Sequence, residues 1–557
     1  MTSRPLRALI ATACAATIGF TPTLAAAQFG GGGYSVSGKK GPFIKQVAGR
    51  DFTGATGGAS LGLADDAINR GEFQAARLRM PETEKRIADL LTRIDAQWPY
   101  AKRPIKVQII GLPHYTAQSL PDGSVVVAFG LLDQAQSDDE IAFVLAHELG
   151  HVRLNHFAAG VKLAKRKQAM SKLGQAFVVG SAIAGGVSSI RNGAGVLGAM
   201  DATAYAAGRR ASAAEDLVHF LNDVVAGPAW SRAQEDEADT LGFDLALADQ
   251  YAAESASAKV FDTIQADADN RAAQTAALNA KMKEELGKAA GETAIQAAYS
   301  GGLSGSGMRT TLLKGAGRIA LTAAANQEAG PKHRTPEQRK KGMAEYTAQA
   351  YPQGVPLADE KSVWLTQLRA SKEYAQAKIV VGAVYAAMKA RTDGQYPTAQ
   401  AELGKAMATS FRNAPLVLNE AARLQDDMGQ IDAADRLFMS AHQSPDQTVD
   451  GYVDHAAMLL RTARYPRADQ VIAMGTQRFG NDDRPFLSLQ IAIADRQGQG
   501  DRTKQLLKRC NDYGDEWLVK DCRLAVKQDA SEQQAEAKKP GMPNLPGVLG
   551  ALPFRKN

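Results

Sequence analysis

The segment Ile141-Ala-Phe-Val-Leu-Ala-His-Glu-Leu-Gly-His-Val-Arg-Leu-Asn-His156 carries two histidines four residues apart around a glutamate. Two such imidazoles can grip one metal ion only where the chain is an α-helix, because positions i and i+4 then lie on one face. Ser137-Asp-Asp-Glu140 reads as a capping box at the start of that helix, and Ile141, Val144, Leu145 and Val152 form its apolar stripe. A buried amphipathic helix with two incidental histidines is the plainer reading. Against it, only eight histidines occur in the chain, and His147 and His151 flank Glu148 at the required spacing. A zinc ion on nitrogen ligands lowers the pKa of a bound water toward ~7, and Glu148 stands where it can take that proton. That is the chemistry of peptide hydrolysis.

With 557 residues the chain is long for one compact domain. Its 45% hydrophobic and 22% charged residues are those of an ordinary globular protein. The net charge of +6 is spread along the chain, which gives nucleic-acid binding little support. Arg4 and Arg7, the apolar run from Ala8 to Phe20 and the small residues Ala25-Ala26-Ala27 read as a secretory leader cleaved near Ala27. The run is short for a membrane span, and Cys14 sits in a poor lipobox context. In an oxidising compartment the remaining pair, Cys510 and Cys522, is most simply a disulfide.

Ahead of the HExxH helix, the pattern predicts a helix from Pro81 to Ala96 with Ile87, Leu90, Leu91 and Ile94 on one face. Strands are expected from Ile105 to Ile110 and from Ser124 to Phe129, the second following the turn signal Pro121-Asp122-Gly123. Residues 174–208 and 251–330 are Ala-rich and read as helical, the first as a cover over the site. Further on, Gly394-Gln-Tyr-Pro-Thr-Ala399 is echoed by Gly429-Gln-Ile-Asp-Ala-Ala434, Ala463-Arg-Tyr-Pro-Arg-Ala468 and Gly498-Gln-Gly-Asp-Arg-Thr503. The steps are 35, 34 and 35 residues. That period is close to the tetratricopeptide (TPR) value of about 34, whose solenoids present a concave surface to peptides.

A catalytic zinc needs a third protein ligand. The metzincin arrangement would require Gly and His where Leu154 and Phe157 stand, and His156 is one residue short and reads as a helix-end residue. Glu235 and Asp239, in Ser231-Arg-Ala-Gln-Glu-Asp-Glu-Ala-Asp239, are also four apart. One can bind metal while the other orients a ligand histidine. Spacing alone fits a solvated acidic helix face equally well.

His147-Glu-x-x-His151 followed 84 residues later by Glu235-x-x-x-Asp239 resembles the HtpX and CAAX prenyl endopeptidase family of gluzincins, over roughly residues 75 to 345. The resemblance implies one Zn2+ per chain on His147, His151 and Glu235, with Glu148 as general base and Asp239 supporting a ligand. It implies a substrate-holding strand at Thr116, Ala117 and Gln118, although Thr116 stands where the family usually has Asn. His333-Arg-Thr-Pro-Glu-Gln-Arg339 resembles a downstream element in which the His approaches the metal as a fourth or regulatory ligand and the Arg supports the site or the transition state. Arg334 here replaces the usual Pro. With the leader and the repeats, the chain looks most like the exported, BepA-like type.

The expected fold is α+β and mainly helical, a gluzincin-type metallopeptidase domain followed by an all-α TPR-like solenoid. The expected divisions are a signal peptide over 1–27, a Gly-rich flexible segment over 28–70, the peptidase domain over 71–350, the repeats over 351–530 and a disordered tail over 531–557. The expected function is a periplasmic endopeptidase of a Gram-negative bacterium. It would cleave misfolded or misassembled envelope proteins, with the repeats docking clients or outer-membrane assembly machinery and at most peripheral membrane contact. The alternative is a TPR chaperone or scaffold with minor proteolysis.

Overall fold

The computed structural model describes residues 34, 41–47, 76–100, 105–120, 123–156, 232–270, 273, 334–356 and 358–514, and positions 518–519, 522–523 and 525–526. The leader, most of the Ala-rich stretches and the tail lie outside them. In order the elements are α1 (Phe43–Gln46), α2 (Pro81–Asp95), β1 (Val107–Ile110), β2 (Ala117–Ser119), β3 (Val125–Ala128), α3 (Phe129–Gln134), α4 (Asp138–Arg153) and α5 (Arg232–Ala248). A helix over 253–270, here α6, follows. Then come α7 (Pro336–Ala350), α8 (Val363–Arg369), α9 (Lys372–Thr392), α10 (Tyr396–Met407), α11 (Pro415–Asp427), α12 (Ile431–Ala441), α13 (Val449–Arg461), α14 (Tyr465–Arg478), α15 (Leu487–Arg496) and α16 (Gly500–Tyr513). Among the described residues, no helix is long and apolar enough to cross a membrane.

The described residues are mainly helical with one small sheet. Its strand order is β1-β3-β2, with β3 parallel to β1 and antiparallel to β2. Every residue of β1 and β3 is buried, whereas β2 is half-buried at the edge. The predicted helix at Pro81 ends one residue early, at Asp95, and both longer strands are shorter than their apolar runs.

In α4 the Ser137 hydroxyl accepts from the Glu140 N–H at 3.2 Å, so the N-cap is present. The reciprocal half of the expected box is replaced by a tertiary contact: the Glu140 carboxylate accepts from the Tyr115 hydroxyl at 3.2 Å. The other acids of this first turn hold neighbouring chain in place. Asp138 accepts from the N–H groups of Trp364 and Leu365 at the start of α8, and Asp139 from those of Ala252 and Lys361.

The segment expected to be flexible before residue 70 contains packed residues. Tyr34, Phe43 and Val47 are buried in the same apolar cluster as α2, α4 and α5. The Ile44 N–H donates to Asp244 and the Phe43 N–H to the Tyr346 hydroxyl, which fixes α1 against α5 and α7.

From α9 onward the helices form hairpins: α9 with α10, α11 with α12, α13 with α14 and α15 with α16. Each of the four repeat copies begins at a hairpin corner. Gly394, Gly429, Ala463 and Gly498 all take positive φ, at 74°, 74°, 56° and 69°. The next residue in each copy donates its N–H five residues back, from Gln395 to Ala390, Gln430 to Gln425, Arg464 to Leu459 and Gln499 to Ala494. The periodic motif therefore marks a left-handed helix stop of the Schellman type. Cys510 on α16 and Cys522 are joined by the expected disulfide. The hairpins are tied back to the N-terminal part by Arg79 with Asp446 and by Glu373, which accepts from the Thr83 N–H and hydroxyl at 2.8 Å each.

Candidate metal centre

α4 and α5 lie against one another along most of their length, and their approach is close because Gly242 has no side chain. A Cβ there would stand 2.7 Å from the His147 backbone nitrogen. This contact brings the HExxH face and the Glu235 face together. The ligand atoms of His147, His151 and Glu235 lie within 4.8 Å of one another. His147 Nε2 and His151 Nε2 are 3.2 Å apart, and the Glu235 carboxylate oxygens lie 3.7 and 4.0 Å from them. The acidic segment is not a solvated face: Glu235, Asp236 and Asp239 are all buried.

The second nitrogen of each imidazole has its own partner, and this sets the tautomers. His147 Nδ1 lies 2.9 Å from Asp239 Oδ1, a carboxylate that only accepts, so its proton sits on Nδ1. His151 Nδ1 lies 2.9 Å from His156 Nδ1, while His156 Nε2 faces Glu237 at 3.3 Å. His156 Nε2–H therefore donates to Glu237 and its Nδ1 accepts from His151. Burial holds His156 below the ordinary histidine range, consistent with this neutral form. Both ligand histidines thus turn Nε2 lone pairs toward Glu235. Two imidazole nitrogens and a carboxylate form a donor set that fits a divalent metal of the zinc type. His156 stands at the helix end, as read from sequence, with its N–H donating to the His151 carbonyl at 3.1 Å, and its ring is also the orienting partner of His151.

Asp239 is itself held from behind. Arg339 on α7 donates from Nε at 2.9 Å and from Nη2 to its two oxygens, and the Tyr34 hydroxyl lies 2.7 Å from Oδ2. Burial alone would raise the Asp239 carboxyl, but Arg339 and His147 hold it well below the usual carboxylate range. Burial works against the Arg339 charge too, and Asp239 more than restores it. Arg339 also lies 4.7 Å over the Phe261 ring. The structure thus places Arg339 as a support for Asp239, 3.9 Å from Glu235. Arg334 pairs with Asp236 at 2.7 Å, where the family resemblance anticipated proline. His333 lies outside the described residues.

Glu148 faces the edge strand. Its Oε2 accepts from the Ser119 N–H at 2.6 Å, a contact the sequence reading lacked. Burial pushes the Glu148 carboxyl up to about 7, while His147 and the Ser119 N–H draw it back. Ladder bonds from Ala128 N–H to Thr116 and from Leu120 N–H to Ser124 turn those residues toward β3. By alternation, the main-chain groups of Ala117 and Ser119 point away from β3 and those of Gln118 toward it. Of the three predicted strand positions, Ala117 thus offers its backbone outward beside the metal centre.

Residues 81–313 match the sequence model of Peptidase family M48. The chain carries a peptidase family M48 domain. It is also similar to the mitochondrial metalloendopeptidase OMA1 of Arabidopsis thaliana, with 41% identity over 56 residues. That match covers 10% of this chain and 12% of the relative, so the chain spans about one eighth of that protein's length. Both similarities support a metalloprotease; His147, Glu148, His151, Glu235 and Asp239 lie in the M48 part, while Arg339 and Tyr34 lie outside it.

Proposed function

We propose that this chain is a zinc endopeptidase of the exported, BepA-like type of the HtpX and CAAX prenyl endopeptidase family, acting on unfolded or misassembled envelope proteins in the periplasm. The observation that carries this reading is the meeting of His147, His151 and Glu235 with Glu148 at the outward edge of β2. Zinc held by the three ligands would polarise a peptide carbonyl and acidify water. Glu148 is the proton carrier: Ser119 anchors Oε2, and the carboxylate can take a proton from water and return it to a leaving amine. Asp239 and His156 hold the two ligand rings in the tautomers that present Nε2. The backbone of Ala117 can add an extended polypeptide to the sheet, an interaction with little sequence selectivity.

The leader supports export, and the repeated hairpins support a TPR-like surface for clients or outer-membrane assembly partners. The test is casein cleavage by the purified chain, with zinc measured alongside. Cleavage should stop on adding a chelator, return with zinc, and be abolished in Glu148→Gln while zinc stays bound. A Glu148→Gln variant that still cleaves casein overturns the peptidase reading. A variant that is inactive in vitro yet supports every cellular role shifts the physiological reading to a chaperone or scaffold.

A further inference from the structure

Tyr34 is 205 residues from Asp239 in sequence, yet its hydroxyl lies 2.7 Å from Asp239 Oδ2 and 2.9 Å from the Arg339 carbonyl oxygen. The side chain is buried, and the Arg334 guanidinium lies 5.5 Å from its ring centre. Room for the ring is made by Gly342 on α7, where a Cβ would stand 2.1 Å from two ring carbons. Burial and the adjacent Asp239 carboxylate raise the phenol well above its ordinary value, so it stays protonated and donates. A few residues on, Phe43 and Ile44 make their own bonds to Tyr346 and Asp244, so α5 and α7 meet the N-terminal segment at two places.

The order of contacts is Tyr34 to Asp239, Asp239 to His147, and His147 to the metal position. Partners of ligand histidines influence metal affinity by about 10- to 100-fold when removed. Arg339 also binds Asp239, through Nε and Nη2 to its two oxygens. Its Nε and the Tyr34 hydroxyl share Oδ2, so that oxygen is held by both and the phenol is its second donor.

We propose that Tyr34 is a positioning residue of the metal centre: by holding the Asp239 carboxylate against His147, it makes metal retention depend on the seated N-terminal segment. The inference rests on the zinc-centre reading above. It adds that a residue far outside the HExxH and Glu235 helices completes the site.

The experiment measures zinc affinity of the full purified chain by competition with a chromophoric chelator, together with the visible spectrum of its cobalt-substituted form. Tyr34→Phe keeps the ring and removes the donor. It should weaken zinc about 3- to 10-fold, a smaller loss than for a direct partner of a ligand, and alter the cobalt bands. Gly342→Ala reaches the same contact from the opposite side and should reproduce the loss by displacing the ring. In a Tyr34→Ala background, Gly342→Ala should cause no further loss. Wild-type affinity and an unchanged cobalt spectrum in Tyr34→Phe overturn the proposal and leave the zinc reading standing. An unsubstituted chain that binds no zinc overturns both. A Gly342→Ala loss that persists unchanged without the Tyr34 ring also overturns it, by showing that α7 packing alone is responsible.

Discussion

The Ser119 N–H donates to Glu148 Oε2 at 2.6 Å, tying the proton-carrying side chain of the metal helix to the outward edge of β2. This N–H points away from β3, so removing it leaves the β2–β3 ladder intact. Ser119→Pro deletes the donor without removing a β2–β3 ladder bond, and places a ring carbon against the Glu148 carboxylate in its stead. A hydrogen bond to a charged group contributes about 1.5–3 kcal/mol. The expected outcome is a fall in kcat/KM of at least about tenfold, with zinc content unchanged. Loss of zinc along with activity would instead show that the substitution disturbs α4 itself.

Gly242→Ala tests how closely α4 and α5 must approach. On an isolated helix the change is favourable by about 1 kcal/mol. Here the new Cβ would meet the His147 nitrogen at 2.7 Å and its Cα at 2.9 Å, and neither is a flexible side-chain end. Overpacking of this kind costs about 1–3 kcal/mol. The variant should show a lower Tm than the parent and weaker zinc binding, because His147 moves away from Glu235.

The contrast between Gly242 and the HExxH motif shows which parts of the site could be read from sequence. His147, Glu148 and His151 follow from one helical spacing, and Glu235 with Asp239 from another, so each half is local. Their meeting is a tertiary event, and only the family resemblance anticipated it. Ser119 to Glu148 and Tyr34 to Asp239 use a backbone N–H and a distant tyrosine, and neither leaves a periodic trace. For His156 the sequence showed the place at the helix end but not the contact with His151, whose tautomer depends on Glu237 arriving on α5. In the hairpins, the repeated Gly-Gln and Ala-Arg steps were legible because each copy needs the same left-handed corner. The tie from Arg79 to Asp446 has no such local signature.

Acid should loosen the second and third hairpins. His455 Nε2 faces Asp435 at 2.7 Å, His442 Nε2 faces His455 Nδ1 at 3.0 Å, and Gln447 Nε2 faces His442 Nδ1 at 3.0 Å. One proton per ring satisfies this chain, and a second would set N–H against N–H. Burial pushes His442 down to about 3 and His455 down to about 4. In the unfolded chain both titrate near 6.5, so that state binds more protons below this value. The contribution is complete above about pH 6.5 and is lost as pH falls toward the folded-state values. The unfolding temperature should therefore drop between pH 6.5 and 5, and His442→Gln should flatten that slope. An equal slope in the variant would assign the acid sensitivity elsewhere.

Ala463 is the exception among the hairpin corners. Gly394, Gly429 and Gly498 occupy the equivalent positions at φ near 70°, and Ala463 holds φ 56° with a Cβ. The left-handed conformation costs an L-residue roughly 1–2 kcal/mol. Glycine avoids that cost but loses about 0.5–1 kcal/mol through the greater freedom of its unfolded chain. The corner bond from the Arg464 N–H to the Leu459 carbonyl at 2.8 Å is made by the backbone and survives the change. Ala463→Gly should therefore stabilise the α13–α14 hairpin by roughly 0.5–1 kcal/mol, read as a rise in the urea midpoint with unchanged slope. The same substitution in a helix interior would destabilise by a similar amount, so a fall in midpoint would mean that Ala463 does not occupy the left-handed corner in solution.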